Sequence, residues 1–301
     1  MSNKTIEQKA LIGGIFVNIL MCIAGITIYE ITHIEALFID AYFSVITLGT
    51  GVLSLIISKI TARQNARFPN GLFALEPLYS LFQSLLTIIL LIFSLVKVYL
   101  KAYKYFMYNQ GILMNIKPII PYELIMLILS LSLSYYYYWN NKKINQVSTM
   151  LFSETKGTLT DGLMSLGIGL FAFILLFIKQ NSPLAFLRYT GDFFITSLLV
   201  LLAIRLPIQI IKRSFIELCG GLTLDFHMKQ WIETCLKKYC FKDLIIKKYF
   251  VYKVGMSFRI YVFISSKEIY IDNKSALRIK KLILKELSSK ISFVHLDFCL
   301  C

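Results

Sequence analysis

Three aspartates stand in runs of residues suited to hydrocarbon. Asp40 lies in LFIDAYFSVITLGTG, Asp161 in GTLTDGLMSLGIGL and Asp192 in YTGDFFITSLL. An Asp at the centre of a membrane helix costs roughly 2.5–3.5 kcal/mol. A residue kept at that cost faces a bundle interior or a water-filled cavity, where a carboxylate handles cations or protons. Glu123 lies near the start of another apolar run and is more easily solvated. Asp40 and Asp161 each begin a D-[AG]-x-x-S pattern, Asp40-Ala41-Tyr42-Phe43-Ser44 and Asp161-Gly162-Leu163-Met164-Ser165. A spacing of four puts Asp and Ser on one helix face. Their oxygens suit hard or borderline divalent cations. The same pairs could instead join helices by hydrogen bonds. Both roles stay open, most evenly for Asp192.

The elements that hold these residues follow from composition. The chain has 301 residues, of which 57% are hydrophobic and 16% charged. Soluble domains average ~45–50% and ~25%. Together with a mean hydropathy of +0.67, this excludes an ordinary soluble enzyme, a disordered chain and a disulfide-stapled secreted domain. Residues 1–211 hold 15 Lys/Arg and 9 Asp/Glu, and residues 212–301 hold 17 and 8. That division reads as a membrane domain, 1–211, followed by a small basic domain, 212–301.

A crossing of the bilayer needs about 20 mainly apolar residues. Six stretches qualify: Leu11 to Ile31, Ala36 to Ile60, Leu78 to Leu100, Ile119 to Tyr138, Leu151 to Ile178 and Ala185 to Ile211. Pro69, Gly71, Pro77, Gly111, Pro118 and Pro183 punctuate the loops. The first stretch is too long for a signal peptide, and no small-residue cleavage site follows it. Lys4, Lys9, Arg63, Arg67, Lys142, Lys143 and the basic tail favour both termini on the cytoplasmic side of a cell membrane. Lys101, Lys104 and Lys117 fall on the other side, where snorkelling at helix ends accounts for them. Two spans three apart with one signature suggest an internal repeat, whose interface is a common place for transporter sites.

The tail changes period. Phe226 to Tyr239 reads as a helix, Leu244 to Tyr252 and Ser257 to Ser265 as strands, Ser275 to Ser289 as an amphipathic helix and Ile291 to Phe298 as a last strand. His295 and Asp297 share one strand face and could ligate a metal. His227 reads as a surface residue. Cys22 packs like a small apolar group, while Cys219, Cys235, Cys240, Cys299 and Cys301 form no CxxC and read as free thiols. No basic stripe with interleaved aromatics points to nucleic acid. A basic domain beside an anionic leaflet needs no further partner.

Residues 67–86 read RFPNGLFALEPLYSLFQSLL. A basic residue, an F-P-x-G run, then E-P-L and an apolar helix resemble the cation diffusion facilitator family. Asp40 and Asp161-Gly162 fall where that family has its signature second and fifth spans, and the six-span layout and basic tail agree. The resemblance implies a homodimeric secondary transporter, not an enzyme, exporting a divalent cation by proton antiport and alternating access. It also implies an α+β tail like a metallochaperone, whose faces pair across a dimer axis. The family's second and fifth spans each supply two ligands four residues apart. Here Asp161 takes the second position of span five, while the first is Gly157. The positions in span two align with Phe43 and Thr47, so Asp40 matches a different acidic position. Manganese, iron, zinc and cobalt are the candidate cations; no His lies in either span, which weakens zinc and shifts weight toward the oxygen-seeking ions manganese and iron. No resident cofactor is expected. Two alternatives are a non-transporting membrane scaffold or sensor with this fold, and a proton-coupled carrier of organic cations.

Overall fold

A computed structural model describes residues 3–32, 35–64, 66–108, 118–177, 186–239, 244–266 and 273–300. Seven helices come first: α1 (Asn3–Thr32), α2 (Glu35–Ile60), α3 (Leu75–Tyr108), α4 (Ile119–Lys143), α5 (Thr149–Phe177), α6 (Leu187–Ala203) and α7 (Arg205–Leu218). Helices answer the apolar composition, because hydrocarbon offers no partner to an unpaired peptide group. Among the described residues, α1, α3, α4 and α5 are long and apolar enough to cross a membrane. α2 adds a shorter apolar stretch, Ser44–Ile60. The chain is therefore a mostly helical, multi-pass membrane protein. Outward-facing positions such as Phe16 and Phe177, 69% and 73% exposed, are large and apolar, as a lipid-facing surface requires.

One expected span is interrupted. Ala185 to Ile211 reads as continuous, but α6 ends at Ala203 and α7 begins at Arg205. Pro207 has no N–H to give the Ala203 carbonyl, and its ring crowds that turn. The same helix carries the expected domain boundary, since Ile211 and Lys212 both lie inside α7.

α1 packs on α2 and α4, α4 on α5, and α3 on α5, α6 and α7. Small residues permit the closest approaches. A Cβ on Gly14 would lie 1.5 Å from Tyr137 Oη, so only glycine lets α4 reach over α1. A Cβ on Gly162 would meet Ser130 and Leu131 at 3.3 and 3.4 Å. The Phe68-Pro69-Asn70-Gly71 turn also closes as expected. Gly71 N donates to the Phe68 carbonyl, and Gly71 adopts φ +81°.

The tail follows its sequence closely. α8 (Phe226–Tyr239), β1 (Leu244–Val254), β2 (Ser257–Ser266), α9 (Asn273–Leu287) and β3 (Phe293–Leu300) form a sheet of order β1-β2-β3. β1 and β2 are antiparallel, and β2 and β3 are parallel with α9 as the crossover. One sheet face buries Val251, Phe258, Ile260, Val262 and Leu296 against α8 and α9. The other carries Phe250, Tyr252, Tyr261 and Phe263 in edge-on contact.

Candidate functional site

Two regions of buried, hydrogen-bonded polar groups stand out inside the bundle among the described residues. The first lies at the end where α1, α3 and α5 begin and α2 finishes. Glu7 Oε1 accepts from Lys4 Nζ and Ser58 Oγ, and Glu7 Oε2 accepts from Ser148 Oγ at 2.6 Å. Lys4 also donates to Glu76 Oε1 at 2.7 Å. Glu7 and Glu76 are fully buried. The tail docks on this same end. The β1–β2 hairpin turns at Gly255, whose φ of +58° suits a two-residue turn. Gly255 N donates to Glu217 Oε2 at 3.1 Å. Glu217 also accepts from Thr149 at 2.9 Å and Arg213 at 3.3 Å, with Lys253 Nζ 3.5 Å away. Burial, with the Arg213 guanidinium, pushes the Lys253 ammonium down to about 8, against the opposing pull of Glu217.

The second region lies one to two turns farther in, where α2, α3 and α5 meet. Glu154, 1% exposed, presents Oε1 to Tyr79 Oη at 2.7 Å. Tyr79 Oη also stands 2.9 Å from the Thr50 carbonyl. Gln83 and Ser54 flank the carboxyl group, and Gln83 Oε1 accepts from Ser153 Oγ at 2.6 Å. Glu154 Oε2 has no hydrogen-bond partner. From α4, Tyr137 Oη faces the same carboxyl group, itself without a hydrogen bond.

Glu7's two contacts show that α2 runs toward this end and α5 away from it. This orientation decides the geometry of the two D-x-x-x-S patterns. Ten residues, ~15 Å of helix, separate Ser54 from Ser44, and eleven, ~16 Å, separate Glu154 from Ser165. The two serines therefore share a level, and both are buried, at 7% and 4% exposure. Because the helices are antiparallel, each aspartate lies one turn away from that level in the opposite direction. The backbone of Asp40 is thus ~12 Å along the bundle from that of Asp161, and Thr47 is the α2 residue level with Asp161. Asp161 is partly exposed. The side chains of Asp40 and Asp192 lie outside the described residues.

On the sheet, His295 pairs with Arg259 and Asp297 with Tyr261 across the β2–β3 ladder. Asp297 is exposed and accepts from Lys280 at 3.2 Å. Among the described residues, no three His, Cys, Asp or Glu side chains gather around one point. Cys22, Cys219, Cys235 and Cys299 are free thiols. Cys240 and Cys301 lie outside the described residues.

Sequence reasoning passed over Glu154 and Glu7. Each stands near an expected span end, where an acid reads as solvated. The available signal was polar company on the same turn: Ser153 beside Glu154, and Lys4 three residues before Glu7. Glu76 lies in the first turn of α3, where a carboxylate complements the helix N-terminus, and is also the ion-pair partner of Lys4.

The sequence profile of the cation efflux transmembrane domain matches residues 11–219. No curated protein matches the chain. The profile takes in α2 through α7 and α1 from Leu11 onward, including the buried carboxylates Glu76, Glu123, Glu154 and Glu217. With more than half its length matched and apolar helices to span a bilayer, this chain belongs to the cation efflux, or cation diffusion facilitator, family of membrane transporters.

Proposed function

We propose that the protein exports a divalent cation in exchange for protons, by alternating access, with six membrane crossings and both termini in the cytoplasm of a cell with an inner or plasma membrane. The observation that carries this reading is the oxygen-rich level around Ser44 and Ser165, with Asp161 one turn away, inside a bundle of a cation efflux family member. Asp161 and Ser165 are the principal cation ligands, with Ser44 and Thr47 facing them from α2. Asp40 and Asp192 serve the path to and from this level. Carboxylate and hydroxyl ligands favour manganese or iron over zinc or cobalt. The cation is substrate, not a resident cofactor.

Residues 1–211 act as the transport domain and 212–301 as the dimerisation and regulatory domain. The aromatic row Phe250, Tyr252, Tyr261 and Phe263 supports a second copy of the chain as partner to the tail. The proposal leaves His295 and Asp297 without a transport role, because Lys280 already occupies Asp297.

The test is uptake of manganese, iron, zinc and cobalt into proteoliposomes under a pH gradient, with wild type beside Asp161→Ala. Wild type moves at least one cation and the variant does not. Absence of any flux in wild type overturns the transport reading. Flux that survives Asp161→Ala overturns the site.

A further inference from the structure

Glu154 differs from the buried carboxylates Glu7, Glu76 and Glu217, because uncharged groups surround it. The groups that act on its carboxyl are Ser54 from α2, Tyr79 and Gln83 from α3 and Tyr137 from α4; behind them Tyr79 contacts the Thr50 carbonyl and Gln83 contacts Ser153. Glu7 has Lys4, and Glu217 has Arg213 and Lys253. An isolated buried carboxylate without a cation is strongly penalised and takes up a proton instead.

A count of hydrogens points the same way. Tyr79 Oη is 2.7 Å from Glu154 Oε1 and 2.9 Å from the Thr50 carbonyl oxygen. Both are O–H···O distances, but a phenol has one proton and the carbonyl has none. The two contacts hold together when Glu154 is a carboxylic acid: its O–H donates to Tyr79, and Tyr79 donates to Thr50. If Glu154 loses its proton, the Tyr79 hydroxyl can rotate and donate to the carboxylate. Thr50 then keeps only its helical hydrogen bond. Tyr79 is thus a two-position donor matched to two protonation states of Glu154.

We propose that Glu154 is the proton carrier of this transporter, a site separate from the cation level at Asp161 and Ser165. It is protonated in the arrangement described and gives its proton to water when the bundle admits water beside Oε2. The step is a proton transfer from the carboxylic acid to water, and it leaves a carboxylate and a hydronium ion. Seven residues, or ~10 Å, separate Glu154 from Asp161 on α5. At that distance and an effective dielectric of ~20, the negative charge left behind tightens divalent cation binding by roughly a few hundredfold. Proton release and cation capture are coupled without sharing a ligand. This inference rests on the transport reading above, so its test includes a readout that needs no transport.

The experiment compares full-length wild type, Glu154→Gln and Tyr79→Phe, purified and reconstituted with manganese as probe. Infrared difference spectra taken across a pH titration report protonated carboxylic acid directly. Wild type shows a carbonyl band that titrates and that Glu154→Gln lacks. In proteoliposomes, Glu154→Gln is fixed in the neutral, weaker-binding form and keeps manganese–manganese exchange at symmetric pH once manganese is saturating. It loses at least tenfold in accumulation driven by a pH gradient, and a lumenal pH dye no longer responds. Tyr79→Phe keeps the infrared band but moves the pH profile of uptake upward, because the ionised carboxylate has lost its donor. The proposal is overturned if the band survives Glu154→Gln, or if that variant still couples proton flow to uptake. It is also overturned if the variant loses cation exchange at saturating manganese together with coupling, for then the two sites are one. If wild type moves no cation, the transport reading fails while the infrared titration still decides whether Glu154 exchanges a proton.

Discussion

The end of the bundle that receives the tail and the junction one to two turns deeper bury the same residue type and treat it differently. Glu7 and Glu154 are both almost fully buried. Glu7 meets an ammonium and two hydroxyls, so its charge is matched in place. Glu154 meets a phenol, an amide and hydroxyls, none of which carries a charge. Burial alone therefore does not say what a membrane carboxylate does. A matched carboxylate is a fixed joint between helices, and an unmatched one is free to exchange its proton. The tail seats on the matched region, where its lysine and hairpin amide complete the cluster.

The comparison can be broken most severely at Lys4. Lys4→Met leaves Glu7 and Glu76 buried without their shared cation, and removing one partner of a buried pair costs about 3–5 kcal/mol. Thermal unfolding in detergent measures this. A change under ~1 kcal/mol would show that the cluster is not charge-matched. Gly255→Val comes next. A Cβ there would stand 2.7 Å from the Phe73 carbonyl and 2.8 Å from Glu76 Oε2, at φ +58°. The strain and clash cost about 1–3 kcal/mol, seen as faster proteolysis of the tail with the transmembrane helices still protected.

Docking of the hairpin also depends on pH, with a definite sign. Undocked Lys253 keeps its proton up to its ordinary 10.5, and docked Lys253 only to about 8. Between those values undocking takes up a proton, so docking tightens as pH rises from 8 to 10. Protease protection of the hairpin, referenced to Lys253→Met, checks the sign. Protection that falls over this range contradicts it.

Glu154→Gln changes stability by less than ~1 kcal/mol, because an amide replaces a neutral acid of the same shape among neutral partners. A loss as large as that of Lys4→Met would mean that Glu154 is ionised and matched after all. The smallest effect belongs to Lys280→Ala. Its pair with Asp297 is solvent-exposed, at 32% and 57%, and is worth at most about 0.5 kcal/mol to the tail.

Much of the fold was legible because it is local. Helical period and strand alternation placed α8, β1 and β2 within two residues of their observed limits, and the turn between α2 and α3 announced itself through Pro69 and Gly71. Ser44 and Ser165 were legible as helix-face residues and are buried. The level of the aspartates was not. Matching D-x-x-x-S text suggests matching places, yet on antiparallel helices it puts the two acids on opposite sides of the serines. The break at Ile204 was visible in Pro207 and was outweighed by an unbroken apolar run.

The amino-acid sequence by itself determined that this chain lives in a bilayer, which segments are helical and how the α-β-β-α-β tail is ordered. Those properties depend on composition and on residues within a turn of one another. Only the tertiary structure decided which acids are matched by cations. Lys4 lies 72 residues from Glu76, and Tyr79 lies 75 from Glu154. No local pattern records partners at such separations. A buried carboxylate takes its chemistry from those partners, because the low dielectric of a buried site strengthens each such interaction.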